Sequence, residues 1–147
     1  MVVIYTITGK NLKVLLIERS DRAGFWQSVT GSIEEQDADL IATAKRELLE
    51  ETGFDIENNP AFKLTNWELN NTYEIYAHWR YRYAANITHN VEHVFGLELP
   101  SELAPILAPD EHVAYKWLDW RKAATQCFSW TNTEAIRVLG ARYGLNH

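Results

Sequence analysis

The sequence predicts an α+β fold, an α/β/α sandwich with a mixed sheet, and three features carry that expectation. Two β-branched segments near the N-terminus are separated by turn residues, a capped helical segment follows them, and further alternating segments lead to a second helical segment at the C-terminus. No repeat, low-complexity stretch or Pro/Gly-rich linker divides the 147 residues, so one domain over 1–147 is expected.

The elements follow in order. Val2–Thr8 reads as a strand, Gly9-Lys10-Asn11 as turn material, and Lys13–Arg19 as the returning strand of a hairpin. Ser20–Gly24 is loop. Asp37–Thr52 reads as a helix, with Asp37 or Asp39 as its N-cap and Gly53 as its stop. Phe62–Leu69 and Tyr73–Tyr83 are expected to pair antiparallel across Asn70-Asn71, the second alternating Ile75, Ala77, Trp79, Tyr81 against Glu74, Tyr76, His78, Arg80, Arg82. His93–Leu99 and His112–Leu118 are further strands. Thr131-Asn132-Thr133-Glu134 has the pattern of a capping box, which starts a helix that ends near Gly144.

Composition narrows the class. A 46% hydrophobic share with six Trp, seven Tyr and five Phe excludes a disordered chain. Cys127 is the single cysteine, so neither an intramolecular disulfide nor a clustered cysteine metal site is available. No apolar run reaches the ~20 residues of a membrane span and the N-terminus is too short for a signal peptide, so a cytoplasmic protein without a membrane partner is expected. Asn70-Asn71-Thr72 and Asn86-Ile87-Thr88 match a glycosylation pattern that carries little weight without export. Fourteen Lys+Arg against 20 Asp+Glu give a net charge of -6, which repels nucleic acid, so no nucleic-acid partner is expected. A phosphate-rich substrate would need bound divalent cations between it and the protein. Nothing in the sequence fixes an oligomeric state.

The informative stretch is Arg46-Glu47-Leu48-Leu49-Glu50-Glu51-Thr52-Gly53-Phe54. At about 100° per residue, Glu47, Glu50 and Glu51 share one flank of the helix, while Ile41, Ala44 and Leu48 occupy the adjoining sector and can dock on a sheet. Like charges at these spacings repel by roughly 0.2–0.5 kcal/mol per pair, which a solvated face tolerates and a cation site exploits. Arg46 and Glu50 can also simply pair at i,i+4. Upstream, Gly31 opens a turn where backbone can approach a ligand.

These residues resemble the signature of the Nudix hydrolases: Gly, five residues, Glu, seven residues, then Arg-Glu-apolar-x-Glu-Glu-x-Gly-apolar. Gly31 and Arg46–Phe54 fit it. Asp37 stands where the signature has Glu, and eight residues rather than seven separate it from Arg46, an insertion in the loop or first helical turn. Further stretches, Phe25–Ser32, His78-x-Arg80-x-Arg82-Tyr83, Glu111–Asp119 and Ser129-Trp130-x-Asn132, resemble members of this family that act on dihydroneopterin triphosphate.

The resemblance implies a Nudix-type sandwich and hydrolysis between the α and β phosphorus of a triphosphate, releasing pyrophosphate. It implies Mg²⁺, with Mn²⁺ as a substitute, held by Glu47, Glu50, Glu51, Glu111 and the Gly31 carbonyl, and a general base drawn from Glu47, Glu50 or Glu111. It places Arg19, Thr30, Tyr73, Glu74, Ile75, Tyr76 and Ser129 against the substrate. Pterin and purine are both flat, hydrogen-bonding bicycles, so dATP or another (d)NTP is the alternative substrate, and a non-catalytic nucleotide-binding module is the other reading. Trp26, Trp117 and Trp130 can stack on such a ring or serve as core, and Trp117 is expected to be core. The histidines show no metal spacing, and an oxygen-rich site needs none of them. Cys127 is expected to be a small buried hydrophobe.

Overall fold

Strand patterning sorts side chains into two cores, and the layers follow from that. The computed structural model describes residues 1–30, 39–74 and 89–143. Within these, β1 (Val2–Thr8) and β2 (Asn11–Arg19) form the expected hairpin, with Gly9 at φ 62 taking the left-handed position of its turn. β3 (Trp26–Gln27) follows, then α1 (Leu40–Thr52), β4 (Lys63–Glu74), β5 (His89–Glu98), β6 (His112–Asp119), α2 (Trp120–Gln126) and α3 (Trp130–Tyr143). The sheet runs β3-β2-β1-β5-β4, with β6 on β2. Only β1 and β5 pair in parallel among the described strands, so the sheet is mixed.

On β1 and β2 the alternation is strict. Val3, Tyr5, Leu12, Val14 and Leu16 point to one face, where Ala123, Ala124, Ala135, Ile136 and Leu139 of α2 and α3 cover them. Val2, Ile4, Leu15 and Ile17 point to the other, beneath Ala44 and Leu48 of α1 and Phe54. Both faces of the central strands are thus dry, and the α/β/α layering expected of the sequence results. No described helix is long and apolar enough to cross a membrane.

Three expectations need correction. Asn70-Asn71 is no turn: β4 runs straight through it, with Asn70 opposite His93 and Asn71 opposite Glu92 on β5. Strand pairing along a twelve-residue ladder outweighs the weak turn preference of two asparagines. The partner expected over 75–83 lies outside the described residues up to Glu74. Ile41 is 41% exposed, because α1 turns a different sector to the sheet. Leu40 supplies the first-turn contact, and Ile41 sits about 80° away from Glu51, which occupies the buried face. The capping box does not form as written, since Thr131 already lies inside α3 and Ser129 accepts from the Thr133 amide. α2 carries no amphipathic pattern long enough to read, yet Asp119 caps it by accepting from Arg121 N–H.

The α1 termini agree with the sequence. Asp39 is the N-cap, its carboxylate accepting from Ala42 N–H at 2.8 Å, and Gly53 at φ 73 is the C-cap. Asp37 lies outside the described residues. Trp117 packs in the α1 core and donates its Nε1 proton to the Leu103 carbonyl. Cys127 donates weakly to the Ala123 carbonyl, and burial pushes its thiol up to about 12, which suits a packed thiol rather than a nucleophile.

One packing contact invites a test. A Cβ at Gly140 of α3 would meet the Trp120 indole of α2. Alanine ordinarily favours a helix by roughly 1 kcal/mol over glycine. Here Gly140→Ala is expected to lower stability by about 1–3 kcal/mol through overpacking, read from urea midpoints; a gain would show that the indole does not cover this position.

Candidate active site

The sheet edge at β6, the end of β2 and the buried flank of α1 meet at a cleft of about 540 Å³ lined by polar side chains. α1 contributes Arg46, Glu47, Glu50 and Glu51; the turn into β6 contributes Asp110, Glu111 and His112; β2 and its exit contribute Arg19, Ser20 and Asp21; and the β3 segment contributes Gln27 and Thr30. All four glutamates expected to act together converge here, as do Arg19 and Thr30.

Local structure explains the convergence. A register shift between Glu18 and Arg19 places Arg19 opposite His112 on β6, and such a bulge re-aims a side chain at a sheet rim. Ser20 N–H donates to the Glu111 carbonyl at 2.9 Å, and its hydroxyl donates to the Asp110 carbonyl at 2.8 Å, which fixes the 110–112 turn against β2. Ile106 N–H donates to the Thr52 carbonyl at 2.8 Å, so the loop ahead of that turn is tied to the last turn of α1. On the other side, Ser28 N–H donates to Asn132 Oδ1 at 2.8 Å and Asn132 Nδ2 donates back to Ser28 Oγ at 2.9 Å. Both side chains are buried, and they lock the Gln27–Thr30 segment to α3.

The carboxylates differ in setting. Glu50 is mostly exposed and accepts from Arg46 at 3.2 Å, the i,i+4 pair foreseen in the sequence. Arg46 also lies 3.1 Å from Glu47, so one guanidinium eases the repulsion between two acids. Burial raises the Glu47 carboxyl above its ordinary range, against the opposing pull of its hydrogen bond with Glu51 and of the Arg46 guanidinium. Glu51 is only 3% exposed. Burial first, then the neighbouring Glu47, Glu111 and Glu50, push its carboxyl up to about 9. Its Oε1 lies 3.7 Å from His112 Nδ1, and Glu51 Oε2 and His112 Nδ1 are buried atoms without a hydrogen-bond partner among the described residues.

An unpaired buried carboxylate costs several kcal/mol unless something positive meets it. Glu51 and Glu111 bring carboxylate oxygens together beside a His112 ring nitrogen, with all these atoms within 4.8 Å of one another. The donors are mostly carboxylate oxygens, which suit a hard divalent ion, so the residues fit the metal that the sequence pattern implies.

Arg19 donates through Nε and Nη2 to Asp21 at 2.9 and 2.6 Å, a fork that holds Asp21 below the usual carboxylate range. Its guanidinium also lies 5.8 Å from the centre of the Phe128 ring, which packs on Phe25. Ser129 does not line the cleft; its hydroxyl bonds Thr131 at 2.8 Å. The backbone of Tyr73 and Glu74 pairs with Asn90 and His89 at the end of β4, while Gly31, Ile75 and Tyr76 lie outside the described residues. In the sequence Gln27 has no assigned role and His112 is set aside with the other histidines for want of metal spacing, although His112 immediately follows Glu111 and opens a strand whose first residue is turned inward.

The NUDIX domain profile matches residues 1–139. The chain belongs to the Nudix family. It is 44% identical over 138 residues to the dihydroneopterin triphosphate diphosphatase of Haemophilus influenzae, covering 93% of this chain and 83% of that one. The Escherichia coli K12 protein of the same name is also 44% identical, with 92% of this chain and 87% of that one covered. Among solved structures, the E. coli dihydroneopterin triphosphate pyrophosphohydrolase superposes with a TM-score of 0.78 at 41% identity, over 92% of this chain and 89% of that one. A Listeria monocytogenes Nudix hydrolase reaches the same TM-score of 0.78 at 23% identity, over 98% of this chain and 92% of that one, which speaks for the fold alone.

The buried Glu51 carboxyl has a consequence for stability. Its value in the fold lies above the ordinary 4.5, so the folded state favours the protonated form. The associated stability is complete below 4.5 and is lost as pH rises through about 9. In the presence of a chelator, urea midpoints of the wild type should therefore fall between pH 5 and 9. Glu51→Gln should flatten that slope and be the more stable protein at pH 8, by roughly 1–3 kcal/mol. An unchanged slope would place the carboxylate in contact with solvent.

Proposed function

We propose that this chain is a Mg²⁺-dependent pyrophosphohydrolase, one Nudix hydrolase domain over 1–147, which cleaves dihydroneopterin triphosphate to dihydroneopterin monophosphate and pyrophosphate. As a member of the Nudix family with diphosphatase relatives, it is a hydrolase acting on phosphorus anhydrides. The observation that carries the reading is the convergence of Glu47, Glu50, Glu51 and Glu111 on one cleft, where the deepest carboxyl keeps one buried oxygen, Glu51 Oε2, without a partner among the described residues. The relatives named above support the substrate.

Mg²⁺ held by Glu47, Glu50, Glu51 and Glu111, with Mn²⁺ as a substitute, would supply charge neutralisation of the triphosphate and acidify a water molecule. The chain's own residues do the rest. Arg46 keeps Glu47 and Glu50 side by side despite their like charge. Arg19 presents a planar fork to phosphate oxygens, exchanging its Asp21 partner for the substrate, and Thr30 offers a hydroxyl in the same cleft. A carboxylate among Glu47, Glu50 and Glu111 accepts the proton of the attacking water. The oxygen of that water bonds to phosphorus, the bridging P–O bond breaks, and the electron pair leaves with pyrophosphate.

A silent nucleotide-binding module is disfavoured, because a binder gains nothing from crowding acids around a buried carboxylate. Pterin and purine triphosphates are separated by assay. Dihydroneopterin triphosphate should be hydrolysed with pyrophosphate as product and with kcat/KM above that for any of the four dNTPs. Faster turnover of dATP would make it the substrate, and orthophosphate as sole product would overturn the reaction. Glu51→Gln should lower kcat/KM by at least about 10²-fold while the fold persists by circular dichroism. For the base, pH–rate profiles of the Glu47, Glu50 and Glu111 glutamine variants are compared, and the one that loses the limb rising with pH identifies it. Arg19→Ala should raise KM roughly tenfold with little change in kcat, the mark of a group that holds substrate before reaction.

A further inference from the structure

His112 takes no part in the reaction as described, yet it is 4% exposed and lies against the deepest carboxylate of the cleft. Its surroundings fix its protons. Gln27 Nε2 lies 3.4 Å from His112 Nε2 and 3.3 Å from Thr30 Oγ1. An amide nitrogen brings two protons and no lone pair, so the imidazole Nε2 that faces it must accept. A doubly protonated ring would set donor against donor there. The ring proton therefore sits on Nδ1, and Nδ1 faces Glu51 Oε1 at 3.7 Å.

That contact is longer than a hydrogen bond, which is why Nδ1 is without a partner. The terminal torsion of a glutamate is soft, and a small turn of the Glu51 carboxylate closes the gap. Closing it engages Oε1, on the carboxyl that also bonds Glu47, and leaves Oε2, which has no partner among the described residues, free to meet a cation. A bare Nδ1 would instead offer a nitrogen ligand, which the Gln27 contact argues against.

We propose that His112 is a positioning residue: held by Gln27 in the Nδ1–H form, it grips Glu51 Oε1 and presents Oε2 to the cation. The proposal rests on the reading of Glu51 as a metal ligand. It also connects that ligand to Thr30 through one buried amide, so the proposed metal corner and the Thr30 hydroxyl share a support. Partners of ligating groups are commonly worth 10–100-fold in metal affinity.

The test begins on the unaltered protein. In long-range ¹H–¹⁵N spectra with ¹⁵N-labelled histidine, His112 Nδ1 should carry the proton and Nε2 should be bare; the reverse tautomer overturns the proposal, whatever the variants do. Mn²⁺ affinity is then read by electron paramagnetic resonance titration. His112→Phe should weaken it about 10–100-fold. His112→Asn, whose amide N–H falls near the place of Nδ1, should recover to within about fivefold, while His112→Gln should not. Gln27→Glu, an acceptor in place of the donor, should move the ring proton to Nε2 and weaken Mn²⁺ with His112 still present. Phe and Asn variants of equal affinity would leave His112 as mere packing. Glu51→Gln serves as the reference: wild-type affinity in that variant refutes the metal reading itself, whereas lost affinity there with retained affinity in His112→Phe refutes only the positioning role.

Discussion

One constraint governs this molecule: the α1 face that packs on the sheet has an ionisable carboxylate at its centre. Glu51 lies within the same sector as Leu40, Ala44 and Leu48, and docking that sector drags the carboxylate out of water. A leucine at that position would be the choice of any stability argument. The helix gives up that gain, and the surrounding structure is arranged around the consequence. Arg46 sits where it can quiet two neighbouring acids, and Ser20, Ile106 and Asn132 pin three separate loops at the rim. Packing and chemistry compete for one helical face, and here chemistry holds the middle of it.

The layers explain how such a deficit is tolerated. Two apolar cores, one on each face of the central strands, bury Val3, Val14, Leu16, Ile136 and Leu139 on one side and Ile4, Leu15, Leu48 and Leu97 on the other. Each buried aliphatic side chain contributes roughly 1.5–3 kcal/mol, so a few such contacts offset one uneasy carboxylate. The cleft occupies the rim where β2, β6 and α1 meet, and the strain is confined there.

Much of this was legible in the residues. β1, β2, β6 and both ends of α1 follow from β-branched runs, Asp39 and Gly53, because their local preferences and their tertiary roles coincide. The glutamate spacing in Glu47–Glu51 announced one acidic flank. It could not announce that Glu51 faces inward, since the rotation of a helix about its axis is decided by the sheet beneath it. The Asn70-Asn71 turn failed for a related reason: a two-residue signal cannot outweigh a long ladder whose partner strand is distant in sequence. Gln27 and His112 are separated by 85 positions and meet only through the β2–β3 and β2–β6 pairings, so no local pattern could join them. Their partnership is a property of topology.

The reciprocal pair between Ser28 and Asn132 spans 104 positions and fastens the segment leading to Thr30 onto the final helix. Loosening α3 would therefore free the segment that carries Gln27 and Thr30 while leaving the acidic helix seated, because α3 and α1 pack on opposite faces of the sheet.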